Sequence, residues 1–330
     1  MLPPRVSVVV PVYNALPYLS ELLDSLAAQD IGKASFEVIA VDDGSTDGSG
    51  AVLDQFAAAR GNVTVIHQAN SGAPGGPCNV GLRAAAGTYV FFAGADDVLG
   101  VEALRRLAAF ADEHESDIVI PKLTPLDGRA LPQAVYKKTR IDADLVTAFG
   151  TLFSQKLYRR GFLNEHGIRF PEGRRNLEDG VFNAQAFVRA RRISILTGYD
   201  FYFLRARSDG RNISFEQLDP AVYTGAVAQI CRTVRAHLDP ATASDVIADL
   251  YCRKCLNRYH RGMLERHNAA SRSEWVMVHR QFAQEFVTPG MEARLPSPYR
   301  ERSALVRCGD VAGLLALGAA ELREKALQGR

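Results

Sequence analysis

The stretch Thr88-Tyr-Val-Phe-Phe-Ala-Gly-Ala-Asp-Asp97 decides the fold prediction, because a short apolar run in it ends in two adjacent carboxylates. Four to eight apolar and β-branched residues in a row predict a buried strand. Burying two ionised side chains without compensation is very costly, so Asp96 and Asp97 are expected at the strand end, facing water or a cation. The alternative is a surface turn in which an Asp caps a helix.

Strands and helices alternate on both sides of this stretch, which predicts an α/β fold with a mostly parallel sheet. The predicted strands are Val6–Val10, Phe36–Val41, Val63–His67, 88–92, Asp117–Pro121 and Ile193–Leu196. The predicted helices are 17–29, one containing Val52, Leu53 and Phe56, one through Val80–Ala85, 101–113 and 178–190, and then Ala221–Ala236, Val246–Arg261 and Val311–Leu327. We therefore predict two halves of one α/β domain, residues 1–120 and 121–215, and a C-terminal helical module, residues 216–330.

Composition sets limits on the class of protein. The chain has 330 residues, of which 47% are hydrophobic and 23% charged, and its net charge of +2 indicates no nucleic-acid partner. Five cysteines without regular spacing argue against a disulfide framework and for a reducing compartment. The start lacks the features of a signal peptide, and no apolar stretch of about 18 residues suggests a membrane span. We expect a soluble cytoplasmic protein.

Three loops are expected at one edge of the sheet, namely Pro11–Asn14, Asp42–Asp47 and Gly94–Asp97. Ligands of α/β sheets bind at the carboxyl ends of the strands, so a nucleotide would lie across these loops. Asp96 or Asp97 would hold Mg²⁺ or Mn²⁺ between two phosphates, because hard oxygen ligands suit these ions. The alternative for the acidic residues of the second loop is turn formation and helix capping.

Four motifs follow one another in a familiar order. They are Val6-Ser-Val-Val-Val-Pro-Val-Tyr-Asn14, Val41-Asp-Asp-Gly-Ser-Thr-Asp47, Asn70-Ser-Gly72 with Asn79-Val-Gly-Leu82, and Gly87-Thr-Tyr-Val-Phe-Phe92 with Asp96-Asp97. Together they resemble the nucleotide-diphospho-sugar domain of glycosyltransferase family 2, which has the GT-A fold. The resemblance continues more loosely to about residue 215. Beyond it, the chain is faintly similar to bacterial enzymes that glycosylate teichoic-acid-like polymers.

The resemblance implies a role for each motif. Pro11, Val12 and Tyr13 would border the base, and Asp43 would bind the uracil edge. Asp96 would be the metal-binding last acid of an Asp-x-Asp motif, with Asp97 beside it. Other residues assigned to the donor site are Asn14, Asp42, Asn70, Asn79, Ala95, Arg205 and Arg207.

The same resemblance implies that Asp179 is the catalytic base, with Glu178 orienting it or lining the acceptor site. An inverting transfer needs a carboxylate that takes the proton from the attacking hydroxyl. The alternative for this pair is a helix start, where carboxylates favour the positive end of the helix dipole.

Two positions depart from the family pattern. Gly94 stands where the family usually has the first Asp of Asp-x-Asp, and Cys78 stands where it usually has Arg before Asn79. A fixed arginine cation near phosphates is lost with the second change. These departures leave open a degenerate nucleotide-sugar-binding or scaffolding module as the alternative to an active metal-dependent transferase. A further alternative is a nucleotidyltransferase, because such enzymes also place acids at strand ends. The latter is disfavoured because its Gly-rich loop after the first strand is absent.

Basic residues are concentrated in the second half of the α/β region, which would steer an anionic acceptor or simply form a solvated face. They are Lys137, Lys138, Arg140, Lys156, Arg159, Arg160, Arg169, Arg174, Arg175, Arg189, Arg191, Arg192, Arg205, Arg207 and Arg211. We expect transfer from a UDP-sugar to a surface glycan, a polyol-phosphate polymer or a lipid-linked acceptor, with peripheral contact at the inner face of the plasma membrane. The C-terminal helices would serve acceptor binding or homo-oligomerisation. The spacing of Cys252 and Cys255 allows a zinc site, but no second cysteine pair follows.

Overall fold

The computed structural model describes residues 3–173, 176–210, 212 and 217–328. The chain forms two compact units, residues 1–216 and 217–330. Within the first unit, residues on both sides of position 120 contribute strands to one large sheet, so the two predicted halves share a common core.

The large sheet has seven strands in the order β3-β2-β1-β4-β8-β6-β9. All neighbouring pairs are parallel except those of β8, which runs antiparallel to β4 and β6. A small second sheet has the order β5-β10-β7. The strands are β1 Val6–Val12, β2 Phe36–Asp42, β3 Val63–His67, β4 Tyr89–Phe92, β5 Val98–Leu99, β6 Ile118–Pro121, β7 Leu123–Leu126, β8 Leu157–Arg159, β9 Ile193–Leu196 and β10 Tyr202–Arg205.

The central strands are buried on both faces, as their continuous apolar runs predict. Helices cover the sheet and join its parallel strands. The α-helices of the first unit are α1 Leu19–Ala27, α2 Ser49–Ala58, α3 Gly75–Ala84, α4 Ala103–Glu113, α5 Leu145–Phe149, α6 Arg160–Glu165 and α7 Glu178–Phe187. The mixed sheet with flanking helices confirms the predicted α/β class.

Several boundaries differ from the prediction. The helix expected over 17–29 begins at Leu19, and β1 continues through Pro11 to Val12. The strands β5, β7, β8 and β10 have two to four residues each, too short for a clear alternation or apolar run to reveal their ends.

The second unit is helical, as predicted. Its helices α8, α9 and α11 begin with Pro in the first turn after an Asp or Thr cap, a strong start signal. The predicted helix Val246–Arg261 is not continuous, because α9 ends at Leu250 and is followed by a π-helical turn and a 3₁₀ segment. The α-helices are α8 Pro220–His237, α9 Pro240–Leu250, α10 Ala269–Phe286, α11 Pro289–Ala293, α12 Tyr299–Cys308 and α13 Val311–Gln328.

No helix in the described part of the chain is long and apolar enough to cross a membrane. All five cysteines are free thiols, and Cys252 and Cys255 are buried in the π-helical turn.

Candidate active site

The exit loops of β1 and β2 are bound to each other at the carboxyl edge of the sheet. The Asn14 amide donates to Ser45 Oγ over 3.1 Å, and Asn14 Oδ1 accepts from the Thr46 amide over 2.8 Å. Asn14 has a φ of 47°, a left-handed conformation that Asn tolerates well. The predicted convergence of these two loops is therefore present in the structure.

Asp42 and Asp47 hold the turn between β2 and α2. Asp42 accepts from the Ser45 amide over 3.0 Å and from His67 Nδ1 over 2.9 Å. Asp47 accepts from the amides of Ser49 and Leu16 over 2.9 Å and 3.0 Å. Turn formation, the alternative for this loop, thus accounts for both side chains, and the donor-site assignment of Asp42 gains no support from this geometry.

His67 bridges two carboxylates, with Nδ1 on Asp42 and Nε2 at 3.0 Å from Asp54. These hydrogen bonds raise the pKa of His67, and that of Asp42 is lowered because hydrogen bonds from Ser45 and His67 outweigh its burial. Stabilisation by a raised histidine pKa is present below the unfolded pKa of about 6.5 and lost as pH rises through the folded pKa.

Replacing His67 with Gln is therefore expected to cost more stability at pH 5.5 than at pH 8.5. The difference should stay below about 1 kcal/mol, because the His67 side chain is half-exposed and screened. Chemical denaturation of both proteins at the two pH values measures it. An equal loss at both would show that the charged form of His67 contributes nothing.

Asp43, the predicted uracil ligand, is buried and already engaged. Its Oδ1 accepts from Gln68 Nε2 over 2.6 Å, and Ser71 donates to the carboxylate through its amide and hydroxyl. Asn70 Nδ2 donates to the Asp43 carbonyl over 3.0 Å. Gln68 and Ser71 thus orient Asp43, and its contact with a base stays a prediction.

Of the residues assigned to the border of the base, Tyr13 presents a large surface, with a relative exposure of 53%, whereas Val12 is buried and Pro11 is half-buried. Ala95, assigned to the donor site, is buried. An exposed aromatic ring at the end of β1 suits stacking against a nucleobase.

Asn79 has a structural task instead of the predicted donor contact. Its Nδ2 donates to the Phe170 carbonyl over 3.0 Å and to Glu172 Oε1 over 3.1 Å, and its Oδ1 accepts from the Phe170 amide over 2.9 Å. Asn79 is 3% exposed and holds the segment before α7 against α3.

Asp97 also differs from its prediction as a metal ligand. It is 3% exposed, its Oδ2 accepts from Tyr202 Oη over 2.6 Å, and its Oδ1 accepts from the Arg205 amide over 2.9 Å. Burial, and then the adjacent charge of Asp96, raise the pKa of Asp97 above its usual range. This geometry argues for a structural acceptor that anchors the acidic loop to β10.

Asp96 is the acid that remains for a cation. It is half-buried, and its Oδ2 is 3.3 Å from Asn212 Nδ2. Burial raises its pKa, and the charges of Arg207, Arg129 and Arg205 oppose that shift.

The acidic loop offers the Asp96 carboxylate to a divalent metal. Among the described residues, no three His, Cys, Asp or Glu side chains form a metal cluster. One hard carboxylate oxygen donor fits Mg²⁺ or Mn²⁺, because such ions take one or two carboxylates and complete their shell with substrate phosphates and water. The residues present are compatible with a metal that arrives with a nucleotide.

Arg205 and Arg207, assigned to phosphate contacts, are paired within the protein. Arg205 is 6% exposed and binds Glu21, Asp127 and the Asp96 carbonyl, so it has a structural role, and its contact with a donor stays a prediction. Arg207 pairs with Asp209 over 2.7 Å.

Arg207 also joins the first loop to the acidic loop. Its guanidinium lies 3.4 Å from the Asn14 carbonyl, and its charge acts on Asp96. With these contacts, all three predicted loops meet at one edge of the sheet.

Asp179 lies half-buried in the first turn of α7, beside Glu178. Its Oδ2 accepts from the Ser154 amide over 3.1 Å. Burial raises the pKa of Asp179, while hydrogen bonding by Ser154 and the charge of Lys156 act in the opposite direction.

An aromatic cluster connects α7 to the strand that carries the acidic loop. Phe92, the last residue of β4, contacts Tyr158, Phe170 and Phe182 with ring centroids 5.0–5.9 Å apart. Phe170 and Phe182 stack at 4.0 Å. The candidate base is therefore held by packing to the end of β4.

Cys78 is 4% exposed on α3, and burial and then the charges of Asp179 and Glu178 raise its pKa well above the usual range. A neutral thiol thus lies near the carboxylates of α7, where the family pattern has an arginine.

Most of the basic residues proposed to steer an acceptor bind the protein itself. Arg160, Arg169, Arg189 and Arg192 donate to backbone carbonyls, and Lys156 is 1% exposed. Residues Arg174, Arg175 and Arg211 lie outside the described residues. The structure therefore favours a mainly structural interpretation of this set, although Lys137 and Lys138 are exposed.

The roles of Tyr202, Ser154 and Asn183 in shaping the site were not predicted from the sequence, and Lys156 was predicted only as one of the basic residues that would steer an acceptor. Their partners are 25 to 108 residues away along the chain or reached through a bend, so spacing does not reveal them.

Comparison with known proteins agrees with this geometry. The family model "Glycosyl transferase family 2" matches residues 7–167, and "Glycosyl transferase TarS linker domain" matches residues 220–318. A poly(ribitol-phosphate) beta-glucosyltransferase of Bacillus spizizenii is 36% identical over 88% of this chain and 48% of its own length. The poly(ribitol-phosphate) beta-N-acetylglucosaminyltransferase TarS of Staphylococcus aureus is 35% identical over 77% of this chain and 44% of its own. The chain thus spans about half the length of these curated relatives.

The crystal structure of S. aureus TarS 1-349 in complex with UDP-GlcNAc superposes with a TM-score of 0.86 at 30% identity. The match covers 99% of this chain and 92% of that one. With the motifs and the mixed sheet in place, these matches show that the chain belongs to glycosyltransferase family 2.

Proposed function

We propose that this chain transfers a sugar from a UDP-sugar to a hydroxyl of a polyol-phosphate polymer of the poly(ribitol-phosphate) type. The transfer inverts the configuration at the anomeric carbon. The observation that carries the proposal is the likeness over 99% of the chain to a structure that holds UDP-GlcNAc. The names of the relatives at 36% and 35% identity support the acceptor class.

The proposed transfer exchanges one bond of the anomeric carbon for another, and Asp179 accepts the proton that is released. The acceptor oxygen forms a bond to the anomeric carbon, the bond from that carbon to the diphosphate oxygen breaks, and UDP leaves. Asp179 takes the hydroxyl proton, a transfer that contributes roughly 10²–10⁴-fold to the rate. Ser154 holds one carboxylate oxygen, which orients Asp179 toward the acceptor.

Asp96 would hold Mg²⁺ or Mn²⁺ at the acidic loop. When bound, the ion would offset the charge that grows on the departing diphosphate. The charges of Arg207 and Arg129 limit the rise of the Asp96 pKa, which favours the ionised form that a metal needs.

Calorimetry of UDP binding tests the donor site and its metal. We expect UDP to bind roughly tenfold more tightly with Mn²⁺ than without it, about 1.4 kcal/mol. Asp96→Asn should remove this difference and keep metal-free binding. Equal affinity in both conditions would exclude Asp96 as a metal ligand, and no binding in either would exclude the donor site.

The rival function is a nucleotide-sugar-binding or scaffolding module without transfer, which Gly94 and Cys78 favour. Incubation with poly(ribitol-phosphate) and either UDP-glucose or UDP-GlcNAc separates the two. Release of UDP that depends on the polymer supports transfer, and UDP binding without any release supports the binding module.

A further inference from the structure

Residues 151–156 form a segment, here called the cradle, that binds the candidate base Asp179. This segment precedes β8, and its Ser154 amide donates to Asp179 Oδ2 over 3.1 Å. Ser154 is 5% exposed, so the hydrogen bond is shielded from water on that side. The position of the Asp179 carboxylate therefore depends on where this segment lies.

Asn183 binds the cradle to α7. It is fully buried one helical turn after Asp179, and its Nδ2 contacts the carbonyls of Leu152, Phe153 and Asp179 over 3.0, 3.1 and 2.8 Å. Its Oδ1 accepts from Tyr158 Oη over 2.9 Å. A single amide side chain thus links the cradle, β8 and the turn of α7 that carries the base.

Lys156 makes the second link between the cradle and α7. It is 1% exposed, its Nζ donates to the Phe153 carbonyl, and the Nζ lies 5.6 Å from the centre of the Phe187 ring. Burial lowers the pKa of Lys156 to about 7, and the negative charge of Asp179 opposes this shift. Below pH 7 a buried cation thus acts on the base.

Among the residues that the structure describes, the other groups that act on Asp179 carry no compensating positive charge. Cys78 on α3 and Tyr158 on β8 have pKa values raised well above their usual ranges, mainly by burial, and are neutral. Glu178 is its neighbour on α7 and is acidic. Within the described part of the chain, Lys156 is the cation that lowers the pKa of Asp179 against its burial.

We propose that Asn183 and Lys156 are positioning residues for the base, which together hold the 151–156 cradle on α7 and keep Asp179 aligned and ionised. The inference rests on the proposed function, because it assigns these residues to the proton acceptor of that reaction. Asn183 and Lys156 would act on the reaction through Asp179, without contacting the substrate.

The pH profile of kcat/KM for UDP release tests Lys156. Lys156→Met should move the acid limb upward by about one pH unit, because loss of a nearby cation favours the protonated carboxyl. UDP affinity should stay unchanged. Lys156→Arg, which keeps the charge, should retain the original limb, and Lys33→Met, at an exposed position, is the matched control.

A double-mutant cycle separates alignment from general damage. Asn183→Ala should lower kcat between about tenfold and 100-fold with the KM for donor unchanged, because a displaced base loses its alignment. In an Asp179→Asn background, neither change should lower the residual rate further. Independent losses in both backgrounds, or an unmoved acid limb in folded Lys156→Met, would overturn the inference.

An NMR titration of the Asp179 carboxyl carbon, assigned by its absence in Asp179→Asn, keeps the test independent of activity. Lys156→Met should raise the titration midpoint, and an unchanged midpoint contradicts the inference. If the wild-type protein releases no UDP but the midpoint moves, the proposed function fails while the positioning of Asp179 stands.

Discussion

Replacing Asp179 with Asn is expected to lower polymer-dependent UDP release by roughly 10²–10⁴-fold. Asn is close to Asp in shape, and its amide oxygen can still accept from the Ser154 amide. The change therefore removes the proton acceptor and keeps the local packing. Because Asp179 is assigned to the acceptor proton and not to the nucleotide, UDP affinity should stay within about twofold, on the order of 0.4 kcal/mol.

The matched control is Glu178→Gln, the same chemical change one residue earlier in the same turn. It should cost less than Asp179→Asn, because Glu178 is assigned only to orientation or to the acceptor site. Initial rates of UDP release over a range of polymer concentrations, together with calorimetry, measure both variants. Activity that survives in Asp179→Asn and disappears in Glu178→Gln would exchange the two roles.

The fold was predictable where apolar runs are long. β1, β2 and β9 are buried along nearly their whole length, and β3 is a partly exposed edge strand. The predicted ranges of all four agree with the structure to within two residues. The small sheet was not predictable from the sequence, because β5 has two residues and its pairing with β10 joins positions about 100 residues apart. Local periodicity contains no signal for such a pairing.

The site was predictable as a set of loops, but not in the task of each side chain. Parallel strands bring their carboxyl ends to one edge, so Asn14, the Asp42–Asp47 loop and Asp96 were expected together. Whether an acid serves a ligand or the fold depends on donors from distant elements. Asp97 accepts hydrogen bonds from Tyr202 and the Arg205 amide, which lie more than 100 positions away in the chain. Asn79 is hydrogen-bonded to Phe170 and Glu172, which lie about 90 positions away.

Gly94→Asp, which would restore the usual first acid of the family motif, is expected to destabilise the protein. A Cβ at Gly94 would lie 2.5 Å from Asp97 Oδ2 and 3.3 Å from Asp96 Oδ1. Asp97 cannot move away from this Cβ without breaking its buried hydrogen bond with Tyr202. The Tyr202 hydroxyl oxygen also accepts from the Gly94 amide over 2.7 Å. Overpacking of this kind costs about 1–3 kcal/mol, and a third carboxylate beside two others adds to it.

Thermal unfolding of Gly94→Asp and Gly94→Ala separates the two contributions. Both variants carry the same Cβ contact, so the additional loss in Gly94→Asp measures the carboxylate group, that is, its charge together with its extra atoms. About 2–4 kcal/mol in total corresponds to a fall in Tm of roughly 5–15 °C. This result would make Gly94 a packing requirement of the Asp97–Tyr202 anchor, and a metal would then have Asp96 as its carboxylate ligand in this loop. A Gly94→Asp protein as stable as wild type, with tighter Mn²⁺-dependent UDP binding, would instead show that the glycine is a lost ligand.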